Sequence, residues 1–283
     1  MSTLIDNAVR ETQAMNNPLL AGMFKMPGRI FPLPSRALLY VAGKEVTAEV
    51  KDNGGEIHVR PMSAMAELKL KNPDLLYSGT AIAEVIRECV PEILDPLALF
   101  ALDVDAILVY IRAVTYGDKY EVDAVHTCAD AKPHTYEISL DELISRTTFL
   151  TEEHLSSWRI PEFHVGITNR TYDVLLEPIR MRGLIAYQQL GRKDPAEVDT
   201  ADYQDLVVTN LVHFIRSVDG ITSRDIIVPF LQKISYPEIH QLQDQIAGAN
   251  IFGVPLTKPV GCPECGAAFD ARVEINPTLF FSK

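Results

Sequence analysis

Two cysteines near the C-terminal end, Cys262 and Cys265, stand three residues apart in GCPECG. A CxxC turn of this kind supplies two thiolates to one metal ion, and a closed structural zinc site takes four ligands in a tetrahedron. The spacing therefore describes half a site. A second turn-like stretch, VHTCADAKPH, carries Cys128, but three residues beyond it stands Ala131 where a second knuckle would place its partner. His126, two residues before Cys128, and His134, six after it, are the substitutes within reach. Cys128, Cys262 and Cys265 with one histidine would make a Cys₃His zinc ribbon, its ligands drawn from two knuckles on facing hairpins. His126 takes precedence, because a strand leading into the turn holds its geometry better, and His134 is the alternative. Cys89 is different: it shares one helical face with Ile82, Val85 and Ile86 and reads as a small core hydrophobe.

No catalytic constellation accompanies these thiols. The chain has no GxSxG, HExxH or Walker A loop and no GxGxxG following a strand, and its seven histidines show no metal-hydrolase spacing. Asp103 and Asp105 form a DxD pair, yet acids in a first helical turn are what the helix dipole favours. No catalytic or cofactor-binding residue emerges, and the chain reads as a non-enzymatic interaction protein. A net charge of -12 argues against nucleic-acid binding, which rests largely on Lys and Arg neutralising phosphates. Arg180 and Arg182 are the nearest approach to a basic patch. The longest apolar runs, such as residues 97–102, fall far short of the roughly 20 residues that span a bilayer. The start lacks the basic region and apolar core of a signal peptide, and thiols in such a chain belong to a reducing compartment. These features imply a protein made in the cytoplasm, with no membrane and no nucleic-acid partner.

The elements that must position the thiols can be read in outline. Residues 1–36 are polar and then proline-punctuated, which predicts an extended N-terminal arm. Its apolar side chains, among them Phe24, Ile30 and Phe31, suit a partner surface better than a free linker. Residues 37–50 alternate, and Asn53-Gly54-Gly55 before EIHVRP predicts a hairpin there. Ser63 and Thr80 open helices, and Asp103 caps a helix from Val104 that is apolar nearly all round and stopped by Gly117. Strand-like runs flank Cys128, and residues 141–165 read as a helical connection. The second part repeats the plan: TYDVLLEP as a strand, a helix over about 179–190, and a long helix opened by Thr200 with Val207, Leu211, Phe214, Ile215 and Val218 on one face. Ser223 opens a helix containing Pro229, Ser235 and Glu238 form a capping box, and the CPEC turn ends in a strand. The predicted architecture is α+β, a mainly helical core with small β-hairpins. It consists of two similar halves, 37–160 and 161–283, each ending in a zinc-ribbon-like cysteine turn.

These residues, taken together, resemble a known family. The stretch from Glu56 through Pro73–Gly79 and Glu84–Pro91, then Asp105–Gly117 and a cysteine turn, is similar to the baseplate hub proteins of T-even-type contractile-tailed bacteriophages, and so is CPECG followed by INPTLFF. The resemblance implies a structural or assembly protein of the central hub of the tail baseplate, made late in infection. It would bind other hub and tail proteins in one or several copies around the tail axis, first in the host cytoplasm and then in the virion tail. It also carries metal-like cysteines onto Cys128, Cys262 and Cys265, with Ala131 departing from the family's pattern. The apolar C-terminal residues Leu279, Phe280 and Phe281 are then a second surface for a partner to cover. Two other readings stand beside this one: a transient tail-assembly chaperone absent from the finished virion, and a zinc-ribbon nucleic-acid adaptor, which the charge disfavours.

Overall fold

The computed structural model describes residues 28–128, 132–190, 207–249 and 252–281. At its centre lies the helix Ala101–Tyr116, in which Val104 and the whole run from Ala106 to Ala113 are buried. A helix apolar on every side has to be wrapped. Strand β2 (Glu56–Val59) and the helices Thr80–Cys89, Leu140–Ser145 and Met181–Leu190 all pack against it. Gly117 ends it with φ at 92°, a conformation that favours glycine.

Among the described residues, four small antiparallel sheets accompany this helix. β1 (Arg29–Pro32) pairs with β2. β3 (Lys119–Val125) and β4 (Pro133–Ser139) form one hairpin, and β8 (Thr257–Gly261) and β9 (Ala268–Arg272) another. Between them in sequence, β5 (Arg159–Val165), β6 (Arg170–Leu176) and β7 (Ile215–Val218) make the three-stranded sheet. A mixed α+β fold with small hairpins is therefore what the chain adopts.

Several local expectations give way. Residues 28–36 do not leave the body as an arm. Phe31 lies opposite Ile57 in the β1–β2 register, is buried, and stacks on Tyr110 at 4.4 Å. Phe31 is therefore covered by its own chain and is no partner contact. Phe24 lies outside the described residues. The predicted hairpin around Asn53-Gly54-Gly55 is also replaced: Thr47 caps a short helix, Ala48–Asp52, and β2 takes β1 as its partner. Gly55, at φ 88°, sits against Arg36, whose backbone would lie 2.7 Å from any added Cβ. That approach binds the turn at 34–39 to the start of β2.

Residues 141–165 are helical only in part, through Leu140–Ser145 and Glu152–Ser156, before β5 begins at Arg159. Pro161 falls at the bulge between Ile160 and Phe163, where a missing N–H costs no ladder bond. The division at residue 160 thus lies within a strand. The helix expected to run to Val218 reaches 212, and Ile215–Val218 becomes β7, which closes the sheet against β6. Thr200 lies outside the described residues. A four-residue apolar run satisfies helical and strand periodicity alike, so only the neighbouring edge of β6 decides.

The C-terminal end folds inward. Asn276 caps the short helix Pro277–Phe280, and Phe280 and Phe281 are buried. Arg112 holds them: its guanidinium lies over the rings of Tyr120, Tyr116 and Phe280 and donates to the Phe280 carbonyl. Phe280 and Phe281 are therefore core residues and not a partner surface, whereas Leu279 remains 65% exposed. Ile30, at 66%, is likewise exposed.

Candidate metal centre

Two hairpins bring the thiols together. β3 leads into His126 and Cys128, as β8 leads into the turn holding Cys262 and Cys265. β3 packs beside β9, so the turns at the two hairpin tips face each other. The turn of the second hairpin is built by its backbone: Cys262 N–H donates to the Ala267 carbonyl, Gly266 N–H donates to the Cys262 carbonyl, and Gly266 sits at φ 72°. Such a turn aims successive N–H groups at the first sulfur. The amides of Cys265 and then Glu264 reach Cys262 Sγ and pull its thiol down to about 7.

The ligand atoms of His126, Cys128, Cys262 and Cys265 all lie within 4.8 Å of one another. Cys265 Sγ is 3.3 Å from His126 Nδ1. Four bonds of about 2.3 Å at tetrahedral angles place ligand atoms about 3.8 Å apart, so these donors need only a small closure to surround one ion. His126 is also steadied from the side, its ring 5.0 Å from that of Phe269, which meets Tyr136 edge-on. His134, the alternative fourth ligand, is turned elsewhere: its Nε2 lies 3.3 Å from Glu264 Oε1. Tertiary packing thus joins the CPEC pair to Cys128 and His126, about 135 residues apart in sequence, and leaves His134 with an acid. The donor set, three thiols and an imidazole, suits a soft or borderline cation such as zinc.

Cys89 is remote from this cluster, buried in the core with its thiol pushed up to about 12 by desolvation. The arginines that came nearest to a basic patch are neutralised. Arg180 pairs with Glu45 and Glu177, each at 3.1 Å, and Arg182 with Asp95 at 3.0 Å. No described helix is long and apolar enough to cross a membrane.

The family model described as T4 bacteriophage base plate protein matches residues 43–280. The chain belongs to this T4-type baseplate protein family. No curated protein and no solved structure matches it. Membership makes this a phage baseplate protein with a structural role in the virion tail among other tail proteins. The matched span begins after β1 and ends at Phe280, so it takes in both hairpins and all four clustered donors.

Sequence reasoning missed a second polar constellation, in the core. Asp103 is not the cap of the central helix, which begins at Ala101 after Phe100, but its third residue; fully buried, it accepts from Ser35 N–H at 2.9 Å and from Tyr40 O–H at 2.5 Å. Tyr40 Oη in turn accepts the Phe100 N–H at 2.7 Å. One signal was available: an acid inside a stretch apolar nearly all round requires partners.

Proposed function

We propose that this chain is a non-enzymatic structural subunit of the baseplate hub, with a zinc ion holding its two cysteine turns together. The observation that carries the reading is the convergence of His126, Cys128, Cys262 and Cys265 from two separate hairpins. Zinc held by four protein ligands has no open position for a substrate and acts by joining segments. Here it would tie β3–β4 to β8–β9, and with them the residues that lead to the docked C-terminal helix. Two exposed side chains, Ile30 and Leu279, are the contacts we assign to neighbouring tail proteins. One hairpin with a cysteine turn in each part, β3–β4 and β8–β9, supports the reading of an internal duplication, 37–160 and 161–283.

Purified tails test the functional reading. A hub subunit is retained at fixed stoichiometry; its absence from finished particles, together with its presence on assembly intermediates, would instead identify a transient assembly chaperone. Elemental analysis of the purified full-length protein tests the metal. One zinc per chain is expected, and His126→Ala should lose it while His134→Ala retains it.

A further inference from the structure

A pocket of about 460 Å³ opens between the helices Pro73–Tyr77, Thr80–Cys89, Ala101–Tyr116 and Met181–Leu190 and the segment 275–278. Its walls are mixed: Leu76, Leu108, Leu184, Ile185 and Ile275 give an apolar side, and Asn276 and Thr278 stand among the polar lining. Gly79 allows this assembly, since a Cβ there would fall 2.2 Å from Ile185 Cδ1. Into the same space projects one acid, Asp105, next to Val104 and Leu108 on the central helix. No hydrogen bond or ion pair involves Asp105 among the described residues, and desolvation alone pushes its carboxyl up to about 6. Asp103, two residues earlier, has every carboxylate oxygen matched by a donor of this chain. Gln188 and Gln189 line the pocket from the exposed face of their helix, and Gln189 Nε2 donates to the Tyr77 carbonyl.

Asp105 is half-buried, and a partly desolvated carboxylate without a partner is stabilised when a cation arrives. A pocket with apolar side chains on one side and an acid in its wall matches a side chain with an apolar stem and a cationic head. Lysine suits this acceptor set: one ammonium proton goes to the Asp105 carboxylate, and the others can go to the amide carbonyls of Gln188 and Gln189. We infer that this pocket receives a lysine side chain from a neighbouring tail protein, its ammonium paired with Asp105. That the donor is a tail protein rests on the baseplate reading above; the chemistry of the pocket does not.

n-Butylammonium, the lysine side chain alone, is the probe for the isolated full-length protein. Saturable methyl shifts at Leu108, Leu184 and Ile185 are expected by NMR, with no such shifts from n-pentanol at the same concentration. Asp105→Asn should weaken binding at least tenfold and raise the melting temperature, because an unpaired charge is removed. Equal binding of the alcohol, undiminished binding by Asp105→Asn, or a lowered melting temperature in that variant would each overturn the site. Carbodiimide treatment of purified tails should then join Asp105 to a lysine of a different protein; a link only to a lysine of this chain would overturn the partner assignment. If the probe binds but the chain is missing from purified tails, the baseplate reading fails while the lysine pocket stands.

Discussion

The buried acid and the clustered thiols are both polar groups gathered from distant parts of the chain, yet they are completed in opposite ways. Asp103 lies in the core, and protein donors satisfy it: Ser35 N–H on one oxygen, Tyr40 O–H on the other. Nothing further is needed. His126, Cys128, Cys262 and Cys265 lie at hairpin tips and present soft donor atoms mainly to one another. A cation would complete such a set, which the amides around Cys262 and the Cys265–His126 contact satisfy only in part. A buried polar group in a large core can be closed by the chain itself, whereas a hairpin tip with little core of its own would gain from a shared ion.

The largest effect expected from breaking this contrast is at the tip. Cys262→Ser should abolish stoichiometric zinc and loosen both hairpins, since structural zinc can contribute on the order of 10 kcal/mol to a small unit. Amide exchange should quicken in β8 and β9 while the central helix stays protected. Unchanged protection after metal loss would show the tip to be self-sufficient like the core.

In the core, Tyr40→Phe leaves one Asp103 oxygen and the Phe100 N–H without their partner, and about 2–3 kcal/mol of stability should go, read by urea unfolding. Asp103→Asn adds a pH signature. The folded carboxyl at about 6 lies above the roughly 3.9 of an unfolded aspartate, so the folded chain holds the proton more tightly. Stability from this group therefore falls as pH rises between those values. The variant lacks that slope, so its deficit against the parent should be largest near pH 4 and shrink toward pH 7. A deficit constant across the range would place the titration elsewhere.

A smaller loss is expected at the join between core and tip. Arg112→Lys keeps the charge but not the planar stacking over Tyr120, Tyr116 and Phe280, and about 1–2 kcal/mol should be lost. The smallest change in stability is expected at the surface. Leu279→Ala should leave the melting temperature within a degree or so, because that side chain is exposed, while reducing incorporation into tails. Normal incorporation would remove Leu279 from the partner contact.

The α+β class, the helices opened by Ser63, Thr80 and Ser223, the all-round apolar central helix and the two strand-flanked cysteine turns were legible because caps, turn glycines and periodicity act over a few residues. Cys262 and Cys265 were legible as ligands for the same reason, their spacing being a local turn. The partner of β2 was not: alternation marks residues 37–50 as readily as 29–32, and choosing between them requires knowing which one meets Ile57 across the ladder. The short run Ile215–Val218 was equally undetermined until the free edge of β6 claimed it. The aromatic residues at both ends of the described chain show the same limit. Phe31, Phe280 and Phe281 looked available to a partner, but Tyr110 and Arg112, both on the central helix, cover them. Residue types and spacing determined that the CPEC cysteines can bind metal and that the central helix must be buried. Which histidine of two joins the thiols, and which acid finds donors while its neighbour faces a pocket, only the tertiary structure decided, because those outcomes depend on distances between segments that no local pattern encodes.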